Sequence, residues 1–146
     1  MYKNIVVAMD GSESSQRALD EAIHIGMHTN ACLHVLFVAD TAALSSYPAS
    51  YRAEVFGDAR RMLDDVEARL RVHGVKCETQ LLETRNLTDS VARCLQRRAT
   101  QIPADVVVMG TYGRTGVKRL VLGSVAEAFL RHSTCPVLLV RLLPEA

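Results

Sequence analysis

The sequence predicts a single α/β domain, residues 1–146, in which helices cover both faces of a parallel sheet. Short apolar runs without polar alternation are typical of strands that are buried on both faces. Segments with helical periodicity lie between these runs, and the alternation implies right-handed crossovers in a doubly wound sheet. A chain of 146 residues, 49% hydrophobic and 23% charged, has the length and composition of one globular domain.

The first strand is Ile5–Met9, a β-branched run that Asp10, Gly11 and Ser12 bring to an end. Apolar residues then recur at helical spacing from Ser14 onward, which predicts the first helix. Leu33–Ala39 is the second strand.

A looser segment, DTAALSSYPAS, leads to a long second helix. The apolar stripe of that helix comprises Val55, Ala59, Met62, Val66 and Leu70. Gly74 stands where a helix C-terminus is expected, and Val75–Leu82 is the third strand.

Asn86 or Thr88 is a candidate N-cap for a third helix, whose apolar residues are Val91, Cys94 and Leu95. The remaining elements are the strand Val106–Met109, the helix Ser124–His132 and the strand Pro136–Arg141. The prediction is therefore a Rossmann-like sheet of five mainly parallel strands with four helices.

We expect the strand order 3-2-1-4-5, which makes the first and fourth strands neighbours. In open α/β sheets, ligands bind beyond the carboxyl ends of the strands where the strand order reverses. Asp10 and Gly110 follow the carboxyl ends of these two strands. Both loops are therefore expected to face the same crevice.

Charge and cysteine content narrow the classes of partner. The formal net charge of +1 gives no basis for a nucleic-acid or membrane partner. The four cysteines form no C-x-x-C pair and have no zinc-ligand spacing, so buried free thiols in a reducing cytosol are favoured. The N-terminal apolar run is too short for a signal peptide, and a cytoplasmic location is expected.

Three glycines mark the segment after the fourth strand: Gly110, Gly113 and Gly123, the last followed by Ser124. The Walker and G-x-G-x-x-G phosphate motifs are absent. Glycine lets a ligand approach the backbone, and a helix N-terminus at Ser124 attracts anions. Arg114, Lys118 or Arg119 offers compensating positive charge.

Structural explanations compete with each candidate site. Ser124 and Glu127 match the capping box S-x-x-E, and Asp10 before a glycine is common turn and capping chemistry. His24 and His28 have a spacing that suits a metal, but their helix face is otherwise charged and favours solvent exposure. No metal site is predicted.

The segment GTYGRTGVKRLVLGSVAEAFLRHSTCPVLLVR resembles the C-terminal signature of the universal stress protein family, and IVVAMDGSESSQRAL is similar to its opening. The pattern G-x-x-G-x9-G-[ST] marks the subgroup of that family that binds ATP. The resemblance implies a five-stranded Rossmann-like fold and a dimer through the last strand, here Pro136–Arg141. Where many members carry a Gly-Pro type turn, this chain has ETRNLTDS.

The resemblance also implies roles for individual residues. The phosphates would be held by Gly110, Gly113, Arg114, Gly123 and Ser124. The adenosine would lie against Asp10, the backbone around Val38, and Met109, with Asp10 near the nucleoside or a phosphate-bound Mg²⁺.

The resulting prediction is a cytoplasmic, dimeric, ATP-binding regulatory protein of the stress response, with an unknown downstream protein partner. Another adenine nucleotide, AMP or cyclic AMP, remains an alternative ligand. Little or no turnover is expected, because no general base can be paired with Asp10. A slow ATP hydrolase on the same scaffold and a nucleotide-independent dimeric interaction protein are the alternative functions.

Overall fold

A computed structural model of the chain, which describes residues 1–111 and 122–142, contains a five-stranded sheet. Its strands are β1 (Asn4–Met9), β2 (Cys32–Ala39), β3 (Cys77–Glu83), β4 (Val106–Gly110) and β5 (Val137–Val140). Neighbouring strands are all parallel, and their order is β3-β2-β1-β4-β5. The predicted fold class and strand order are confirmed.

Within the described residues, the helices are α1 (Glu13–Thr29), α2 (Thr41–Leu44), α3 (Ala49–Val72), α4 (Val91–Gln101) and α5 (Ser124–His132). The prediction of four helices omitted α2, which is a single turn inside the segment expected to be loose. The Asp40 side chain caps it by accepting the Ala43 N–H at 3.2 Å. One turn is too short to show helical periodicity, so the sequence pattern could not reveal it.

The inner strands β1, β2 and β4 are mostly buried, as their unbroken apolar runs predict. On one face, Leu19 of α1 and Leu63 of α3 belong to the same apolar cluster as Val7 of the sheet. On the other face, residues of α4 and α5 belong to a second cluster with Val107, and Phe129 of α5 is 1% exposed. The molecule therefore has two separate apolar layers, one on each side of a single sheet.

The structure confirms the predicted end of α3 and contradicts the predicted N-cap of α4. Gly74 has φ +68° after α3, which confirms the predicted stop, because left-handed backbone favours glycine. The cap predicted for α4 at Asn86 or Thr88 is wrong: Ser90 is the N-cap and accepts the Arg93 N–H at 3.1 Å. The Asn86 side chain is engaged locally instead, accepting the Thr88 N–H at 3.0 Å.

The four cysteines are free thiols, of which Cys94 is buried and Cys32, Cys77 and Cys135 are half-buried. Burial raises the pKa of the Cys32, Cys77 and Cys94 thiols. These three side chains therefore stay protonated at neutral pH and behave as small apolar residues. In the part of the chain that the structure describes, no helix is long and apolar enough to cross a bilayer.

The last residue of β4 is in close contact with the first turn of α1. A Cβ built on Gly110 would lie 2.1 Å from Oγ and 2.7 Å from the carbonyl carbon of Ser14. The Ser14 side chain is 1% exposed, and its Oγ donates to the Val140 carbonyl at 3.4 Å. Glycine is therefore required at position 110 because α1 occupies the place of a side chain.

We expect Gly110→Ala to destabilise the fold by about 3 kcal/mol, because the new methyl group collides with Ser14 main chain that cannot rotate away. Gly57→Ala in the middle of α3 is the matched control, since its Cβ meets nothing closer than Arg61 Nη1 at 3.4 Å. That change should stabilise the protein by about 0.5–1 kcal/mol. Urea denaturation measures both, and equal stabilities of wild type and Gly110→Ala would contradict the packing explanation.

Candidate functional site

The carboxyl ends of β1 and β4 lie side by side, as predicted. The two strands are parallel with Val7 opposite Val108, so Asp10 and Gly110 leave the sheet at neighbouring positions. Gly123 also belongs to this edge, because its N–H donates to the Thr111 carbonyl at 2.6 Å. The structure therefore brings Asp10, Gly110 and Gly123 together.

At this edge, the first backbone N–H groups of α5 are not paired by any described residue. Gly123 is the N-cap with φ −62° and ψ 154°, and no side chain in the described ranges caps the helix. The first backbone bond within α5 runs from the Glu127 N–H to the Gly123 carbonyl at 2.9 Å. The N–H groups of Ser124, Val125 and Ala126 have no partner among the described residues.

The capping-box hypothesis for Ser124 is wrong. Ser124 is the first residue inside α5 rather than its cap, so its hydroxyl is one position too late to serve the helix. The carboxylate of Glu127 is paired with Arg131 at 2.8 Å instead of reaching back to the N-terminus. The Ser124 side chain is exposed, and its hydroxyl has no hydrogen-bond partner among the described residues.

Asp10 shapes the loop after β1 without capping the following helix. Its Oδ1 accepts the Ser12 N–H at 2.9 Å, and Gly11 has φ +83°. Ser12 is the N-cap of α1, where its Oγ accepts the Ser15 N–H at 3.1 Å. The turn explanation of Asp10 is thus correct, while its second carboxylate oxygen makes no hydrogen bond to a described residue.

Val38 and Met109 lie on the face of the sheet that α4 and α5 cover. Met109 is 3% exposed within that apolar layer, and the half-buried Val38 packs against it. Val125, in the first turn of α5, packs against the same layer. The N-terminus of α5 therefore adjoins an apolar layer in which Met109 is buried and Val38 is half-buried.

Thr111 carries a buried polar atom of this edge. The residue is 8% exposed, and its Oγ1 has no hydrogen-bond partner within the described ranges. Buried hydroxyls are normally satisfied by protein or by an ordered molecule. Gly113, Arg114, Lys118 and Arg119 lie outside the described residues.

A clasp between two loops was missed by the sequence analysis. Thr84 follows β3 and is 4% exposed, and its Oγ1 accepts the Thr41 N–H at 3.0 Å. The Thr41 hydroxyl donates to the Thr84 carbonyl at 3.0 Å. Because the partners are 43 positions apart, no local pattern could reveal the pair.

The loop before α4 is held by a second interaction that the sequence did not indicate. The Asp89 side chain is 4% exposed and accepts two hydrogen bonds from Arg97, at 2.8 and 2.7 Å. The Arg85 N–H also donates to it at 2.8 Å. The bonds from Arg97, followed by that from Arg85, hold the Asp89 pKa far below its usual range.

No metal centre is found where the structure describes the chain: no group of three or more His, Cys, Asp or Glu side chains is placed to hold an ion. His24 and His28 are exposed on α1, and His28 Nδ1 lies 2.7 Å from the carbonyl oxygen of His24. Their surroundings agree with the solvent-facing interpretation of this pair.

Comparison with known proteins gives the family. The model of the universal stress protein family matches residues 1–141. A putative universal stress protein of Staphylococcus saprophyticus is 34% identical, over 99% of this chain and 87% of its own. A universal stress protein of Burkholderia pseudomallei has a solved structure with TM-score 0.76 and 35% identity, covering 95% of this chain and 96% of its own.

A third relative was solved with a ligand. It is a universal stress protein in complex with cAMP, with TM-score 0.69 and 26% identity, and the match covers 96% of this chain and 97% of that one. The family match and the identities together show that this chain belongs to the universal stress protein family.

We expect Asp89→Asn to lower the stability at neutral pH, because it removes the charge that pairs with Arg97. An acid with a depressed pKa stabilises the fold fully above its ordinary value of 3.8 and loses that effect as the pH falls toward the lower, folded-state pKa. The stability difference between wild type and variant should therefore shrink as the pH falls below about 5.

Urea denaturation from pH 7 to pH 3 measures this difference. Asp20→Asn is the matched control, because Asp20 and Arg69 form an ion pair whose side chains are 42% and 43% exposed. Exposed pairs contribute little to stability, so this control should change less. A difference for Asp89→Asn that stays constant over the whole pH range would contradict the assigned ion pair.

Proposed function

We propose that this universal stress protein binds an adenine nucleotide, with ATP as the leading ligand, at the edge formed by β1, β4 and α5. The proposal depends most on the three N–H groups of Ser124, Val125 and Ala126, which have no partner among the described residues. Such groups and the helix dipole together attract a phosphate anion. The hydrogen bond from Gly123 to Thr111 holds them beside the strand ends.

Two further observations support a nucleotide rather than a simple anion. The apolar layer around Met109 adjoins the helix N-terminus, and the half-buried Val38 beside it gives a flat apolar base a neighbour close to the phosphate donors. One relative was solved with cAMP, a ligand that has both a base and a phosphate. The Thr111 hydroxyl, which has no partner among the described residues, supplies one more polar group at the same edge.

In this proposal each predicted site residue has a distinct task. Gly123 and Ser124 bind phosphate through backbone N–H groups and a hydroxyl, while the free oxygen of Asp10 accepts a ribose hydroxyl. The base contacts the backbone at Val38 and the surface over Met109. Gly110 contributes backbone only, since Ser14 already fills its side-chain position. Gly113 and Arg114 keep their predicted phosphate roles.

The protein acts, in this proposal, as a homodimeric regulatory module with little or no turnover. Strand β5 is at the edge of the sheet, and Leu138 on it is 38% exposed. Leu130 on the adjacent α5 is 39% exposed. An apolar edge strand left open would promote aggregation, and pairing with a second copy covers it.

Mass spectrometry of small molecules released from protein purified without added nucleotide tests the ligand directly. Recovery of ATP supports the proposal in full, and recovery of AMP or cAMP supports the nucleotide site with a different ligand. Calorimetry with all three nucleotides gives the affinities. No recovered nucleotide together with no calorimetric binding would refute the site, and Asp10-dependent phosphate release would favour the hydrolase alternative.

We expect Gly123→Val to weaken ATP binding at least about tenfold, because the branched side chain obstructs the approach to the α5 N–H groups. The backbone angles of Gly123, φ −62° and ψ 154°, suit valine, so the helix should persist. Calorimetry measures the affinity and circular dichroism checks the fold, with Gly57→Ala as the control glycine substitution. Unchanged affinity in a folded variant would place the phosphates elsewhere.

We expect Leu138→Glu to convert the dimer to a monomer, because it buries a charge at the centre of the proposed β5 interface. Leu138 is 38% exposed in the single chain, so the substitution should leave the monomer folded. Sedimentation velocity measures the oligomeric state. A dimer that persists in the variant would place the interface on another surface.

A further inference from the structure

A cleft of about 360 Å³ lies on the other face of the sheet, away from the α5 N-terminus. Phe37 of β2 lines it from the sheet side, and α3 supplies its wall from Tyr51 to Met62. Phe37 belongs to the apolar layer shared with α1 and α3, whereas Met109 belongs to the opposite layer. The cleft is therefore separate from the proposed nucleotide site.

The cleft combines an apolar interior with acidic groups at its mouth. Its apolar lining comes from Phe37, Val55, Ala59 and Met62. Two carboxylates, Glu54 and Asp58, line it one helical turn apart. The volume falls at the small end of the range for binding pockets, enough for one or two side chains.

The negative charge at the mouth is only partly compensated. Glu54 is exposed and forms no ion pair with any residue that the structure describes. Asp58 pairs with Arg61 on the same helix, but their side chains are 59% and 70% exposed, which makes this a weak contact that a ligand can replace. A cation entering the cleft would therefore meet at least one available carboxylate.

Exposed aromatic rings extend this surface beyond the cleft. Tyr51 lines the cleft and is 44% exposed, and Tyr47 beside it is 50% exposed. Their ring centroids are 4.8 Å apart with the planes tilted by 31°. Tyrosine is enriched in protein interfaces, and its ring face attracts cations. The surface is thus larger than a small ligand would need.

We propose that this cleft is a docking site for a segment of a partner protein that carries an arginine or lysine next to an apolar residue. The apolar side chain occupies the interior against Phe37 and Met62. The cationic group lies between Glu54, Asp58 and the ring of Tyr51. This interaction goes beyond the proposed nucleotide function and does not require it.

The test is a titration of the protein, without nucleotide, with the capped tripeptide acetyl-Leu-Arg-Phe-amide. The chemical shifts of the protein's backbone amides report the binding. The reference peptide has citrulline in place of arginine, which is close to it in shape but neutral. Binding at the cleft should shift the amides of Phe37 and of residues 51–62, and the arginine peptide should bind more tightly. Shifts elsewhere only, or equal binding of both peptides, would overturn the proposal.

Charge variants test which carboxylates act. Glu54→Gln and Asp58→Asn should each lower the affinity for the arginine peptide roughly threefold to tenfold, as expected for exposed charge and cation–aromatic contacts. Asp65→Asn is the matched control, because it makes the same charge change on an exposed position of α3 that does not line the cleft. Equal weakening by the control would show general electrostatic attraction and overturn the site.

A shape variant gives an independent test. Val55 lines the cleft and is half-exposed, so Val55→Trp should fill the cleft without changing its charge and should abolish binding in a folded protein. Retained affinity in this variant would contradict the cleft. If the cleft is saturated by benzylammonium but binds neither peptide, its ligand is a small-molecule cation rather than a partner segment. That result would also overturn the proposal.

Repeating the titration with Gly123→Val separates this proposal from the nucleotide site. Peptide binding should be unchanged there, whether or not that variant binds ATP. Loss of peptide binding in that folded variant would contradict the independence of the two sites.

Discussion

The close approach of α1 to β4 is the constraint on which the arrangement of the candidate site depends. Without a side chain at Gly110, the first turn of α1 contacts the end of β4 through Ser14. The Asp10 loop, which connects β1 to α1, is thereby held against the neighbouring strand. The hydrogen bond from Gly123 to Thr111 then adds α5 to the same place. One missing methyl group thus allows three chain segments to converge.

At the edge formed by the carboxyl ends of the strands, the two faces of the sheet carry different chemical groups. On the α4/α5 side, N–H groups that no described residue pairs adjoin apolar residues, an arrangement suited to an anion attached to a flat base. On the α3 side, two carboxylates line an apolar cleft, which suits a cation with an apolar body. Phe37 and Val38 are consecutive in β2 and point to opposite faces. The two proposed sites therefore share the end of one strand.

Sequence patterns predicted the fold because its signals are local. Buried parallel strands are continuous apolar runs, and Gly74 marked the end of α3 through its own backbone preference. The predicted strand order also placed Asp10 and Gly110 at the ends of neighbouring strands, as the β1–β4 pairing shows. The reason why position 110 requires glycine could not be predicted, since the contact between Gly110 and Ser14 depends on how α1 packs.

The cap of α5 lies one residue earlier than the S-x-x-E pattern indicates, because Gly123 is the N-cap. The Thr41–Thr84 clasp and the buried pairing of Asp89 depend on packing that local periodicity does not reveal.

A titration with ATP, monitored at the backbone amides of the α5 N-terminus, tests whether this helix binds phosphate. If these N–H groups bind phosphate, the amide protons of Ser124, Val125 and Ala126 should shift downfield on saturation with ATP. Adenosine, which lacks phosphate, should shift them much less. ATP binding that leaves these three amides unchanged would contradict the central claim.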